Sequence, residues 1–220
     1  MIQLAHISKI YRFGDTVTEA LRDVSLTIEQ GEFTAIMGAS GSGKTTLLNI
    51  LGCMDTATSG SYVLDHTNIT QLKAAELDKV RRHRITFVFQ NFALMDRYSA
   101  YDNIELPLLN QKLPHAERRK RVLQTARQLG IESQLGKLPR QMSGGQQQRT
   151  AIARALVSGA DIILADEPTG ALDKKTGIEL MEILTRLNAE GKTVILVTHD
   201  ADVAGYADRI LTISDGELVE

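Results

Sequence analysis

The sequence predicts an α/β fold with three parts: a core on a mostly parallel sheet, an N-terminal antiparallel β subdomain, and an inserted α-helical subdomain. Three observations carry this prediction. Short, nearly continuous apolar runs recur along the chain, as strands buried on both faces of a parallel sheet require. Helix-like stretches separate those runs, which is the alternation of an α/β core. One long helical stretch between the second and third runs carries no strand at all.

The elements follow in order. "IQLAHI" and "ALRDVSLTIEQGE" mix apolar with polar positions, as half-exposed antiparallel strands do. "FTAIM", from Phe33, is the first buried strand, and the helix-like "LLNILG" comes soon after it. "ITFVF", from Ile85, is the second. Residues 91–142 then read as the inserted helical lobe, with Val122, Leu123, Ala126 and Leu129 at helical spacing and charges opposite them. "DIILAD", from Asp161, and "TVILVT", from Thr193, complete the buried set. The final "RILTISDGELVE" sets Asp215-Gly216 between two strand-like runs, a hairpin signal. Residues 1–220 therefore read as one domain, its core formed by 1–90 and 143–220.

Composition narrows the class of function. The 220 residues are 43% apolar, enough for a sizeable core. Lys+Arg 25 against Asp+Glu 27 leaves a net charge of -2, which argues against nucleic acid as a partner. The basic runs "RRHR" at Arg81–Arg84 and "ERRKR" at Glu117–Arg121 read as solvated helix faces. The single cysteine, Cys53, follows an apolar run and reads as a buried structural thiol in a reducing compartment. No secretory signal is apparent, and no apolar run approaches the ~18 residues that span a bilayer. Any membrane role is expected to come through a partner.

Two stretches have the form of phosphate cradles. Gly38-Ala39-Ser40-Gly41-Ser42-Gly43-Lys44-Thr45, followed by Thr46, lies between a strand-like and a helix-like run. Its glycines let backbone N–H groups converge on phosphate oxygens, Lys44 suits the β- and γ-phosphates, and the Thr45 hydroxyl suits Mg²⁺. Asp166 ends an apolar strand, where a carboxylate holds the Mg²⁺ shell. Glu167 follows at once, and a second carboxylate beside a metal-bound triphosphate suits a general base for water. Gln90 and His199 are polar groups at the ends of two further buried strands, where α/β active sites form. Tyr11 offers a ring for an adenine. The second cradle is "MSGGQ", Met142–Gln146, at the start of a helix. One nucleotide needs only one cradle.

In this order the pieces identify the chain as a member of the ATP-binding-cassette (ABC) family, as a P-loop NTPase. Tyr11 takes the aromatic-loop place, "GASGSGKT" the Walker A motif, Gln90 the Q-loop and "MSGGQ" the signature. "IILADE" resembles Walker B, "ALD" at Ala171–Asp173 the D-loop, and His199 the switch histidine. Met142 stands where the signature usually has leucine, one apolar residue for another. The resemblance implies ATP and Mg²⁺, with Thr45, Gln90 and Asp166 at the metal. It implies hydrolysis by Glu167, His199, Gln90 and Lys44. It also implies a head-to-tail dimer of two copies around two nucleotides, in which Ser143, Gly144, Gly145 and Gln146 serve the partner's γ-phosphate and Asp173 crosses the interface. That answers the question of the second cradle.

"EFTAIMGASGSGKTTLLNILGCMD", "FVFQNFALM", "NIELPLL" and "ADEPTGALDKKTG" resemble the macrolide-export and lipoprotein-release (MacB/LolD-like) branch. The branch implies a separate transmembrane permease subunit and a place on the cytoplasmic face of the membrane. The apolar "NFALMDRYSAYDNIELPLL" is expected to form the groove for a helix of that subunit, with Phe92, Leu94, Met95 and Tyr98 in contact. An amino-acid importer ATPase and a regulator of a cell-envelope membrane complex are the alternative readings. The transported substance is not legible.

Overall fold

The computed structural model describes residues 1–219. In chain order the elements are β1 (Ile2–Phe13), β2 (Thr16–Ile28), β3 (Phe33–Met37), α1 (Lys44–Leu51), β4 (Ser59–Leu64), β5 (Thr67–Asn68), α2 (Ala74–Arg84), β6 (Ile85–Phe89) and α3 (Ala100–Glu105). There follow α4 (His115–Gln128), α5 (Gly144–Val157), β7 (Ile162–Asp166), α6 (Lys174–Ala189), β8 (Thr193–Val197), α7 (Ala201–Ala204), β9 (Arg209–Ser214) and β10 (Glu217–Val219).

Two sheets result. The antiparallel sheet has the order β2-β1-β4-β5, so its third and fourth strands come from beyond α1. The sequence reading did not anticipate those two, because each is short and flanked by turn residues. The second sheet has the order β10-β9-β3-β8-β7-β6 and is parallel except where β10 folds back on β9. That last turn has Asp215 at φ 50 and Gly216 at φ 85, the double left-handed geometry a two-residue hairpin needs.

The apolar runs behave as strands buried on both faces, and the pleat assigns their side chains alternately to two cores. Phe33, Ala35, Ile163, Ala165, Val194 and Leu196 face one core. Ile36, Ile162, Leu164, Ile195 and Val197 face the other. The second core is closed by α1 and the antiparallel sheet, through Leu47, Leu48, Ile7, Leu21 and Ile28. Cys53 lies in it, and burial pushes the thiol up to about 11, so it is an inert packing residue.

The first core continues without interruption into the helical segment. Ile104, Leu108, Val122 and Ala126 share it with Leu180 and Leu184 of α6. The helix α5 packs on α3, α4 and β6 together, so no break in packing falls at residue 142. Leu123 is only half-buried, unlike Val122, Ala126 and Leu129. The two basic runs are helical but not simply solvated. Arg84 pairs with Asp65, Arg82 with Asp78, and Arg118 lies 2.9 Å from Glu105. Among the described residues, no helix is long and apolar enough to cross a membrane.

Candidate functional site

Parallel register brings four strand ends to one edge. Phe89 pairs with Asp166, Asp166 with Val197, and Val197 with Ile36. The residues that follow these positions are therefore neighbours: the Gly38 loop, Gln90, Glu167 and His199. They border a cleft of about 840 Å³ that includes Ala39, Ser40, Gly41, Gly43, Lys44, Thr45, Thr46, Gln90, Asp166, Glu167 and His199. Thr18, Glu19, Ala20, Arg22, Asp215 and Gly216 complete the wall. None of these last six was singled out from sequence as a site residue; Asp215 and Gly216 were read only as a hairpin turn.

The loop is shaped by close approach of backbone to backbone. A Cβ on Gly38 would lie 2.2 Å from the Ile213 carbonyl oxygen, and one on Gly43 2.5 Å from that of Ala20. Gly43 also has φ 107, which side-chain-bearing residues rarely adopt. Gly43→Ala is therefore expected to lower stability by about 3 kcal/mol and to abolish nucleotide binding. Thermal melting and equilibrium titration with a fluorescent ATP analogue would check both. Lys44 is nearly buried, and its Nζ donates to the carbonyls of Gly38 (2.8 Å) and Ala39 (2.7 Å), which tightens the loop.

The carboxylates are held differently from one another. Burial, and then the charge of Glu167, raise the pKa of Asp166, while Thr45 and Lys44 oppose that rise. Glu167 sits at φ 45, a left-handed conformation uncommon outside glycine and typical of functional sites. Its amide donates to the Val197 carbonyl (2.9 Å). Its Oε1 lies 2.6 Å from His199 Nδ1, and its Oε2 accepts from the Thr198 hydroxyl at 3.2 Å. The sequence reading missed Thr198, because a threonine closing a β-strand carries no local signal. The side chain of Gln90 packs on Gly170, where an added Cβ would come within 2.7 Å of its Nε2.

The site fits a nucleotide and its cation. Ser42 Oγ is buried with no hydrogen-bond partner, an acceptor or donor left over beneath the loop. The Cα of Gly41 faces open space, with nothing within 4 Å of an added Cβ. Among the described residues, no group of three or more His, Cys, Asp or Glu side chains could hold a metal ion by itself. Thr45, Asp166 and Gln90, which border the cleft, offer the few oxygen ligands that would suit a Mg²⁺ brought in on phosphates.

The remaining predicted residues lie elsewhere. Ser143, Gly144, Gly145, Gln146 and Asp173 do not line this cleft. Ser143 is the N-cap of α5: its Oγ accepts from the Gln146 amide at 3.3 Å, and Gln146 Oε1 accepts from the Ser143 amide at 3.0 Å. An added Cβ on Gly145 would lie 2.7 Å from Thr176 Cγ2. Asp173 is the exposed N-cap of α6, and the Thr176 hydroxyl, followed by its amide, holds its carboxyl below the usual range. Met142 is buried, as an apolar residue there should be.

Tyr11 stands beside Thr46 of the phosphate loop. Its hydroxyl donates to Asp55 (2.7 Å), its ring stacks on Phe13, and Lys9 Nζ lies 4.8 Å from the ring centroid. The half-buried Lys9–Asp55 pair (2.6 Å) offers the phenol a charged acceptor.

A groove of about 370 Å³ between β6 and the helical segment includes Met54, Phe87, Phe89, Ala93, Pro107 and Arg154. Phe92, Leu94, Met95 and Tyr98 do not line it. Phe92 (φ 60) and Ala93 (φ 48) turn the chain there, and Arg154 fixes the turn by donating to both carbonyls. Met95 and Tyr98 are exposed just beyond, wired to buried Asn103 through their carbonyls at 3.2 and 3.1 Å. A second clamp, Gln148 Nε2 to the Pro168 carbonyl (3.0 Å), ties α5 to the turn after Glu167.

A strand–glycine loop–helix cradle, with an acidic strand end beyond one intervening strand, defines a P-loop nucleotide-binding domain. Residues 21–170 match the family described as ABC transporter, and the chain belongs to that family. It is 49% identical over 219 residues to the macrolide export ATP-binding/permease protein MacB 1/2 of Paracoccus denitrificans, covering 100% of this chain and 33% of that protein. The chain thus spans about a third of the length of such MacB relatives. It is 48% identical to the uncharacterized ABC transporter ATP-binding protein YvrO of Bacillus subtilis, covering 100% of this chain and 96% of that one. Among solved structures, a dimeric post-hydrolysis state of the ATP-binding cassette MJ0796, bound to ADP and Pi, superposes with a TM-score of 0.93 at 46% identity, covering 100% and 97% of the two chains. MJ0796 is a protein of Methanocaldococcus jannaschii.

Proposed function

We propose that the chain is the ATP-binding and ATP-hydrolysing unit of a transporter of MacB/LolD type. Two copies close head to tail around two ATP and drive a transmembrane permease from the cytoplasmic face of the membrane. One observation carries the reading: the Walker A cleft gathers Lys44, Thr45, Gln90, Asp166, Glu167 and His199 but none of residues 143–146. The signature's capped helix end, with its free N–H groups and positive dipole, serves a phosphate held by another copy. The dimeric MJ0796 structure supports that arrangement.

Within the cleft, Lys44 and the loop amides bind the β- and γ-phosphates. Thr45, Asp166 and Gln90 hold Mg²⁺, which neutralises charge on the phosphates. Glu167 takes a proton from the attacking water, and His199 places that water and the γ-phosphate. The groove beside Phe87 and Phe89, with exposed Met54 in its lining, receives the permease together with the segment after Phe89 that exposes Met95. The double variant Met54→Glu, Met95→Glu is expected to lose permease co-purification while keeping ATP-driven dimerisation on size exclusion. Retained permease binding would place the contact elsewhere.

The deciding experiment traps Glu167→Gln with ATP in native membranes and identifies what co-purifies. A membrane protein with few spans and a large outer domain supports the reading. A compact permease with a solute-binding protein would indicate import, and soluble partners alone would overturn the membrane role.

A further inference from the structure

We infer that Thr198 is a positioning residue for Glu167, the anchor that aims its carboxylate whatever His199 does. Three observations lead there. Thr198 is fully buried at the end of β8, and its amide donates to the Ile36 carbonyl (3.2 Å), just before the Walker A loop. Its Oγ1 accepts from the Asp200 amide at 3.1 Å. With that lone pair engaged, the hydroxyl proton is free to be given to Glu167 Oε2, 3.2 Å away.

The two contacts on Glu167 differ in character. His199 has a side chain 73% exposed, so its bond to Oε1 is made by a group free to move towards a phosphate. Thr198 is locked by the sheet and by two backbone bonds. Branching at Cβ restricts its χ1 freedom, and the bond from the Asp200 amide to Oγ1 keeps the donor in place. Glu167 needs such an anchor, since its own backbone is strained at φ 45 and gives its side chain no regular secondary structure to lean on. When His199 leaves for the γ-phosphate, the Thr198 hydroxyl still holds Oε2, and Oε1 faces the water.

The inference rests on Glu167 being the base, as proposed above, and the test separates the two. Thr198→Val keeps the shape and removes the hydroxyl. Losing a hydrogen bond to a charged group predicts a kcat about 10- to 100-fold lower. KM and equilibrium affinity for a fluorescent ATP analogue should stay within about twofold, because no phosphate contact is removed. Thr198→Ser should restore most of kcat. A readout independent of turnover is ATP-dependent dimerisation on size exclusion, where Thr198→Val should accumulate dimer as slow hydrolysis delays its opening. If Thr198→Val does not fold, Thr198→Ala compared with Thr198→Ser carries the same test. Equal kcat in the Val or Ala variant and the wild type, while Glu167→Gln is inactive, would overturn the role of Thr198 alone. Full turnover in Glu167→Gln would overturn the base assignment beneath it. A fall in affinity equal to the fall in kcat/KM would mean a purely structural role and would equally overturn it.

Discussion

Glu167→Gln is expected to bind ATP and hydrolyse it 10²- to 10⁴-fold more slowly, about 3–5 kcal/mol of barrier. Glutamine keeps the size of the side chain and an oxygen for the His199 or Thr198 contact, so the fold and the cleft should survive. What disappears is the negative charge that accepts the proton from water. The same change removes a like charge beside Asp166, whose pKa is raised first by burial and then by Glu167. A triphosphate entering that cleft then meets less repulsion. The variant should therefore accumulate as a stable ATP-bound dimer, visible as a shifted elution volume. Normal phosphate release by this variant would remove Glu167 from the chemistry.

Ser143→Asp is expected to separate nucleotide binding from dimer closure. Aspartate is as good an N-cap as serine, so α5 should keep its start and the protein its melting temperature. The new charge, however, would face the γ-phosphate of the opposite copy. Affinity of the isolated chain for ATP should be unaltered, since residue 143 does not line the chain's own cleft. The ATP-dependent dimer should vanish, and hydrolysis should fall by at least about 100-fold, the cost of losing one preorganised donor to a developing charge. Light scattering with and without ATP reads the first effect, and phosphate release the second. A dimer of normal stability would mean that the signature does not meet the partner's nucleotide.

Much of the site was legible because its signals are local. The glycines of the Gly38 loop, Asp166 at a strand end and the hairpin at Asp215-Gly216 are each set by a few neighbouring residues and their dihedral needs. The apolar runs were legible for the same reason, since a strand buried on both faces needs apolar side chains at every position. The bond from Tyr11 to Asp55 was not legible, because the partner lies 44 residues away. The turn at Phe92 and Ala93 was not legible, because apolar character does not say where a chain adopts two left-handed residues in succession.

By itself the sequence determined the strand and helix types apart from β4 and β5, the phosphate loop, the acidic strand end and a second glycine-bearing helix start in the same chain. Only the tertiary structure decided which of these groups share a cleft. Parallel register set the ends of β3, β6, β7 and β8 side by side, and so placed Gln90, Glu167 and His199 around the Gly38 loop. It also left the Ser143 helix end outside that cleft and brought Thr198 to Glu167 across 31 residues. The physical reason is range. Turn chemistry and hydrophobic period act over a few residues and are written locally, whereas a hydrogen bond between distant side chains exists only once sheet order and register have fixed which strand ends are neighbours.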